Sequence, residues 1–203
     1  RDELIFNIGR YVGLRVENIA NIPVKIVLSL RLDDLSSSNE LRLNFIGKYQ
    51  RQIQPAFNVE LLRQMKYYAE YVRPLALARG QTESKNLFLV HVGAKKGCSC
   101  TKRAIQSSMS ALFVDAGLYE LKATRYTRDG FLVLDEDGNP VSRRTARFSV
   151  HDLRHTCAAR KFYANLAATG NREQAIRAVQ AQLCHVDLKT TEREYIEFTR
   201  RFS

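Results

Sequence analysis

The chain has 203 residues, 45% of them apolar, with 32 Lys and Arg against 21 Asp and Glu, a net charge of +11. That length suffices for one domain with a sizeable core, and the apolar share sets aside a disordered chain. No apolar run reaches the roughly 18 residues that span a bilayer, and the charged start Arg1-Asp2-Glu3 is not a signal peptide. It is also no initiator methionine, as expected of a piece of a longer protein. The positive surplus points to nucleic acid as partner, ahead of an anionic membrane surface. Four cysteines, with Cys98 and Cys100 in a C-x-C pair and Cys157 and Cys184 in apolar surroundings, fit neither a secreted disulfide scaffold nor a zinc knuckle. They read as reduced thiols of a cytosolic protein.

From the N-terminus, Leu4, Ile5, Ile8, Val12 and Ile19 share one face of a helix over residues 2–20, interrupted at Gly13. Residues 24–32 are rich in Val, Ile and Leu and read as a strand. Residues 33–39, with three serines, form a loop. Leu41-Arg42-Leu43-Asn44-Phe45 alternates apolar with polar as a half-buried strand does. Gly47-Lys48 is a turn, and residues 50–54 return as a third strand that Pro55 ends. These three strands predict a small antiparallel sheet.

Asn58 caps a helix in which Leu61, Leu62, Met65, Tyr68, Ala69 and Val72 keep helical spacing, with Pro74 and Gly80 at its end. Tyr67, Tyr68 and Tyr71 on this helix read as packing residues rather than base-stacking ones. A polar loop and a short apolar segment over 87–92 follow. Residues 94–102 are basic, with Lys95, Lys96 and Lys102 ahead of Arg103; a phosphate backbone and a solvated loop suit them equally. Thr101 caps another helix, with Ile105, Met109, Leu112, Phe113 and Ala116 inward and Gly117 at its end. Between 118 and 149, Asp135-Glu136-Asp137-Gly138-Asn139-Pro140 is a turn signal inside a hairpin-like insertion. Its far side carries Arg143, Arg144 and Arg147, a basic approach that suits DNA.

A helix starting at His151 turns Leu153, Cys157, Ala158 and Phe162 inward and stops at Gly170. Asn171 caps the next, with Gln174 at the capping-box position and Ala175, Ile176, Val179 and Leu183 as its apolar face. Thr191 and Glu194 cap a last helix that presents Tyr195. No repeat, low-complexity segment or linker divides the chain, so residues 1–203 are expected to form a single domain, mainly α with a small antiparallel β-sheet.

The chemistry concentrates near the C-terminus. His151-Asp152-Leu153-Arg154-His155-Thr156 holds two of the four histidines, one helical turn apart. His185 follows in Leu183-Cys184-His185, and Tyr195 is the only tyrosine after Tyr163. Arginine and histidine can bind a phosphate, and a tyrosine can attack it. The order HDLRHT, then L-x-H, then a Tyr beyond Thr190-Thr191 resembles the catalytic end of the tyrosine recombinases, the integrases of phages and mobile elements. Upstream, Gly13-Leu14-Arg15 resembles the family's first-arginine segment, with Asn18 where a Glu is common. Gly47-Lys48 resembles its lysine-bearing turn. Two further departures are Cys184 in place of the usual Gly before His185, and a slightly long interval from His185 to Tyr195.

The resemblance implies a DNA breaking-rejoining fold and a catalytic set of Arg15, Lys48, His151, Arg154, His185 and Tyr195, the first five converging on one basic surface and Tyr195 free to lie apart on a last helix that moves without DNA. Arg15 and Arg154 would hold the non-bridging phosphate oxygens in bidentate, permanently charged pairs. An unperturbed tyrosine phenol titrates near pH ~10 and needs help to lose its proton; His151 would take it, and His185 would bond a phosphate oxygen. Lys48 would protonate the leaving 5′ oxygen. The product is a 3′-phosphotyrosine that keeps the bond energy, so rejoining needs no ATP, no metal and no cofactor. Implied partners are double-stranded DNA at an attachment or recombination site and further copies of the chain, as a homotetramer on DNA. The implied location is cytoplasmic, on the nucleoid. The family's N-terminal DNA-clamping domain has no counterpart in residues 1–203. A type IB topoisomerase would use the same chemistry without exchanging partners. His151-x-x-x-His155 also has the spacing of a zinc hydrolase, but lacks the Glu of H-E-x-x-H. A DNA-binding module without catalysis would be marked by a missing Arg or Tyr, and neither is missing.

Overall fold

The computed structural model describes residues 1–37, 39–47, 50–77, 84–125, 127 and 130–184. Lys48, His185, Tyr195 and the expected last helix lie outside the described residues. Helix α1 spans Asp2–Asn7 and continues as a π-helical turn over Ile8–Val12. Gly13 N–H closes that turn by donating to Ile8 O at 3.1 Å, and Gly13 itself is left-handed, φ 73°. The short helix α2 follows at Val16–Ala20.

Helix α3, Val24–Leu28, stands where the sequence predicted a strand over 24–32. Pro23, at φ −74° and ψ 128°, sets the extended residue before the first turn. Val24 and Val27, one turn apart, are buried together. β-branched residues favour a strand only where a pleated surface receives them. Here the receiving surface is helix α4, Val59–Tyr67.

Two two-stranded sheets lie end to end as an antiparallel ribbon. Strands β1 (Glu40–Arg42) and β4 (Ala56–Asn58) form its base, and β2 (Phe45–Ile46) and β3 (Gln52–Ile53) its outer arm. Leu41 pairs with Phe57 and Phe45 with Ile53, in one unshifted register. The break between the arms falls at Pro55, which has no N–H to give the ladder. Its carbonyl still accepts from Leu43 N at 3.2 Å. So Pro55 interrupts the strand it was expected to end, and the ribbon has two arms rather than three strands.

Asn58 Oδ1 accepts from Leu61 N at 2.7 Å and starts α4 as predicted. The helix runs on through a π turn at Tyr68–Val72 and a 3-10 turn at Arg73–Ala76. Tyr68 is buried, 2.9 Å from His91 Nε2 through its hydroxyl, and burial pushes the phenol up to about 12. Tyr67 and Tyr71 depart from the packing role expected of them. They are 61% and 62% exposed, with ring centroids 5.0 Å apart. The apolar segment Leu87, Phe88 and Leu89 is wholly buried.

Thr101 Oγ1 accepts from Ala104 N at 3.1 Å and caps α5, Lys102–Asp115. Ile105, Met109 and Phe113 face the core; Ala116, expected inward, is exposed at the helix end. Strands β5 (Tyr119–Ala123) and β6 (Ser142–Ala146) form the predicted hairpin. Its tip is held by Asp135 Oδ1, which accepts from Asp137 N at 3.1 Å and Asn139 N at 2.8 Å. Helices α6 (Val150–Thr169) and α7 (Arg172–Leu183) pack on each other, joined by left-handed Gly170 and by Asn171, whose side chain accepts from Gln174 N.

The core has two parts. Most apolar residues form one cluster that reaches Val150 and Leu153 at the start of α6; Ala158 and Phe162 join Ala175, Ile176, Val179 and Leu183 in a second, between α6 and α7. At Gly9 a Cβ would lie 2.9 Å from Leu153 Cδ1. That close approach seats α6 on the π turn and brings Arg154 against Gly13. Among the described residues no helix is long and apolar enough to cross a membrane.

Candidate active site

Ser149 caps α6 with a full capping box. Its Oγ accepts from His151 N at 3.2 Å, while Asp152 Oδ2 accepts from Ser149 N at 2.8 Å and Ser149 Oγ at 2.7 Å. Asp152, the acidic member of the HDLRHT stretch, is thus occupied at the helix end. The cap fixes the first turn, from which His151 projects outward and Arg154, one turn on, projects inward. The His151 ring meets that of His155 edge to face, centroids 4.4 Å apart. Among the described residues no three His, Cys, Asp or Glu side chains gather into a metal-binding group.

Arg154 is 3% exposed. Its Nη1 donates to Gly13 O and its Nη2 to Leu183 O, the latter at 3.0 Å. The guanidinium therefore joins the turn after α1 to the last residue of α7. Cys157, one turn further along α6, is buried and donates to Tyr11 O; burial pushes its thiol up to about 11. Arg15 is half-buried, and its extended backbone, φ −64° and ψ 146°, leads into α2.

Arg15, His151 and Arg154 line one open pocket of about 230 Å³, together with Leu14, Val16, Glu17, Lys102 and Gln106. The sequence placed three of these in the site. It did not place Lys102, Gln106 or Glu17 there. Thr101 signals a helix start at Lys102, but nothing local says that this helix end meets α2. Lys102 Nζ lies 2.8 Å from Glu17 Oε1. Among the described residues, the pocket thus sets Arg15, Arg154 and Lys102 against the carboxylate of Glu17.

Cys184 ends α7 at φ 51° and ψ 43°. This is the left-handed position at which a helix normally places glycine. A non-glycine residue there costs on the order of 1–3 kcal/mol, offset in part by the greater chain entropy a glycine would lose. Cys184→Gly is expected to stabilise the domain by about 1 kcal/mol, read as a higher midpoint in urea. A lower midpoint would show that the thiol contributes more than the strain removes.

No protein-family model and no curated protein matches the sequence. Solved structures do. Crystal structures of the XerH site-specific recombinase bound to difH substrate match at 18% identity: the post-cleavage complex at TM-score 0.57 over 98% of this chain, and the pre-cleavage complex at 0.56 over 97%. The crystal structure of XerA recombinase matches at 17% identity and TM-score 0.56 over 96% of this chain. This chain spans 42% of each XerH chain and 51% of XerA. The mainly helical domain with small antiparallel sheets therefore has the fold found in these recombinases.

Proposed function

We propose that this domain cuts and rejoins double-stranded DNA through a 3′-phosphotyrosine, as the catalytic part of a site-specific recombinase or integrase. One observation carries the reading: Arg15, near the start of the chain, and His151 and Arg154, near its end, line the same cationic pocket. The fold it sits in is shared with recombinases solved on their substrates.

A phosphodiester resists attack because its anionic oxygens repel nucleophiles and more charge gathers in the transition state. The two arginines address that charge at any working pH. In the proposed reaction His151 takes the phenol proton of Tyr195, and the phenolate oxygen bonds to phosphorus. The 5′ oxygen leaves with a proton from Lys48, and His185 bonds a non-bridging oxygen. A second 5′-hydroxyl reverses the step, without ATP or metal. Lys48, His185 and Tyr195 hold their roles by sequence order. The acting assembly is a homotetramer on two duplexes, in the cytoplasm on the nucleoid.

The test is a nicked candidate attachment site, which traps the covalent adduct. Wild type is expected to give a protein–DNA adduct on a denaturing gel, unaffected by EDTA. Tyr195→Phe is expected to give none, while DNA affinity stays nearly unchanged, because one oxygen adds little to ground-state binding. An adduct from Tyr195→Phe would move the nucleophile elsewhere, with Tyr163, half-exposed on α6, next in line. Loss of the wild-type adduct in EDTA would favour the His151/His155 metal reading.

A further inference from the structure

Lys102 enters the pocket from α5, an element that the HDLRHT stretch, the first-arginine segment and the lysine turn do not involve. We propose that Lys102 is a further phosphate-contacting residue of this pocket, held by Glu17 while the site is empty and passed to a DNA phosphate when one enters. This rests on the reading of the pocket as a phosphate site.

Three observations carry it. Lys102 and Glu17 both line the pocket with Arg15 and Arg154. The Lys102 Nζ lies 2.8 Å from Glu17 Oε1, so the ammonium already sits beside an anionic oxygen there. The pair is open to water, the side chains being 51% and 28% exposed. An ion pair so exposed is weak and gives way readily. A phosphate arriving between Arg15 and Arg154 brings its own charge to the same space, and the flexible four-carbon stem lets the ammonium follow it. Glu17 has the opposite effect. Two residues after Arg15, its carboxylate repels the anion that Arg15 attracts. The competing role is a plain tie between α2 and α5, in which either partner's loss does the same damage.

Binding of the full chain to a short fluorescent duplex across a salt series separates these. Lys102→Gln is expected to weaken binding and to lower the log–log salt slope by about 0.9, one phosphate contact. Lys102→Arg is expected to keep the slope. Glu17→Gln is expected to tighten binding at every salt concentration. Arg15→Gln serves as reference for the pocket itself. If Lys102→Gln and Glu17→Gln shift affinity in the same direction, or Lys102→Gln leaves the slope untouched while Arg15→Gln lowers it, the Lys102 assignment fails and the pocket reading stands. If Arg15→Gln also leaves the slope untouched, the pocket is not a phosphate site and both fail.

Discussion

Arg154→Ala is expected to lower folding stability by about 3 kcal/mol and to slow covalent adduct formation on the order of 10²–10³-fold. The two losses have different origins. Arg154 is almost fully buried and donates to Gly13 O and Leu183 O. Truncation removes both bonds and leaves two carbonyls in the interior without those donors. Bonds from a charged group contribute roughly 1.5–3 kcal/mol each, and structural relaxation recovers part. The rate loss comes from the pocket that Arg154 also lines, where its charge meets that of the transition state. Arg154→Lys is expected to recover little of either, because an ammonium cannot span two carbonyls with a planar fork. Urea titration gives the first effect; adduct rates on a nicked substrate, well below the unfolding transition, give the second. A folded Arg154→Ala protein that cleaves at the wild-type rate would remove this arginine from the proposed mechanism.

Gly13→Ala is the second large effect, expected at about 3 kcal/mol, on the order of 6–12 °C in Tm for a domain of this size. The left-handed backbone at φ 73° penalises any Cβ. This Cβ would also lie 2.7 Å from Leu183 Cδ2 and 3.0 Å from Cys157 Sγ. The Leu183 methyl can turn aside; the Cys157 side chain, buried beneath, has less room. Any backbone shift that relieves the overlap moves the Gly13 carbonyl away from Arg154 and carries Arg15 with it. Adduct formation is therefore expected to fall beyond what the stability loss explains. A Tm change of a degree or less would show that the π turn absorbs the extra atom.

Features set by neighbouring residues were legible in the sequence. The caps at Asn58, Thr101 and Asn171 and the stop at Gly170 are where the local pattern put them, because a cap depends on residues three or four positions away. The inward faces of α5 and α6 follow from spacing alone, apart from Ala116, which lies past the last turn. The strand read over 24–32 failed because its apolar run fits helix and strand alike, and only α4 decides between them. Tyr67 and Tyr71 failed for a related reason: an aromatic on a helix is inward only if something covers it. That Arg15, His151 and Arg154 share one pocket was foreshadowed by motif order. The carbonyls that hold Arg154 were not, because Gly13 and Leu183 lie 141 and 29 positions away and contribute backbone, which leaves no mark in composition. The pairing of Lys102 with Glu17, 85 positions apart, was hidden in the same way.

The double bond pattern of Arg154 bears on how such a domain would decay under relaxed selection. A residue kept for chemistry alone drifts freely once the chemistry is no longer needed. Arg154 also joins the turn after α1 to the end of α7, so its loss threatens the folded state as well. Under the proposed mechanism, a descendant that abandons cleavage but still has to fold would shed the tyrosine long before it shed this arginine. Retention of Arg154 in a diverged copy is thus weak testimony for activity. The fate of the tyrosine is the more informative record.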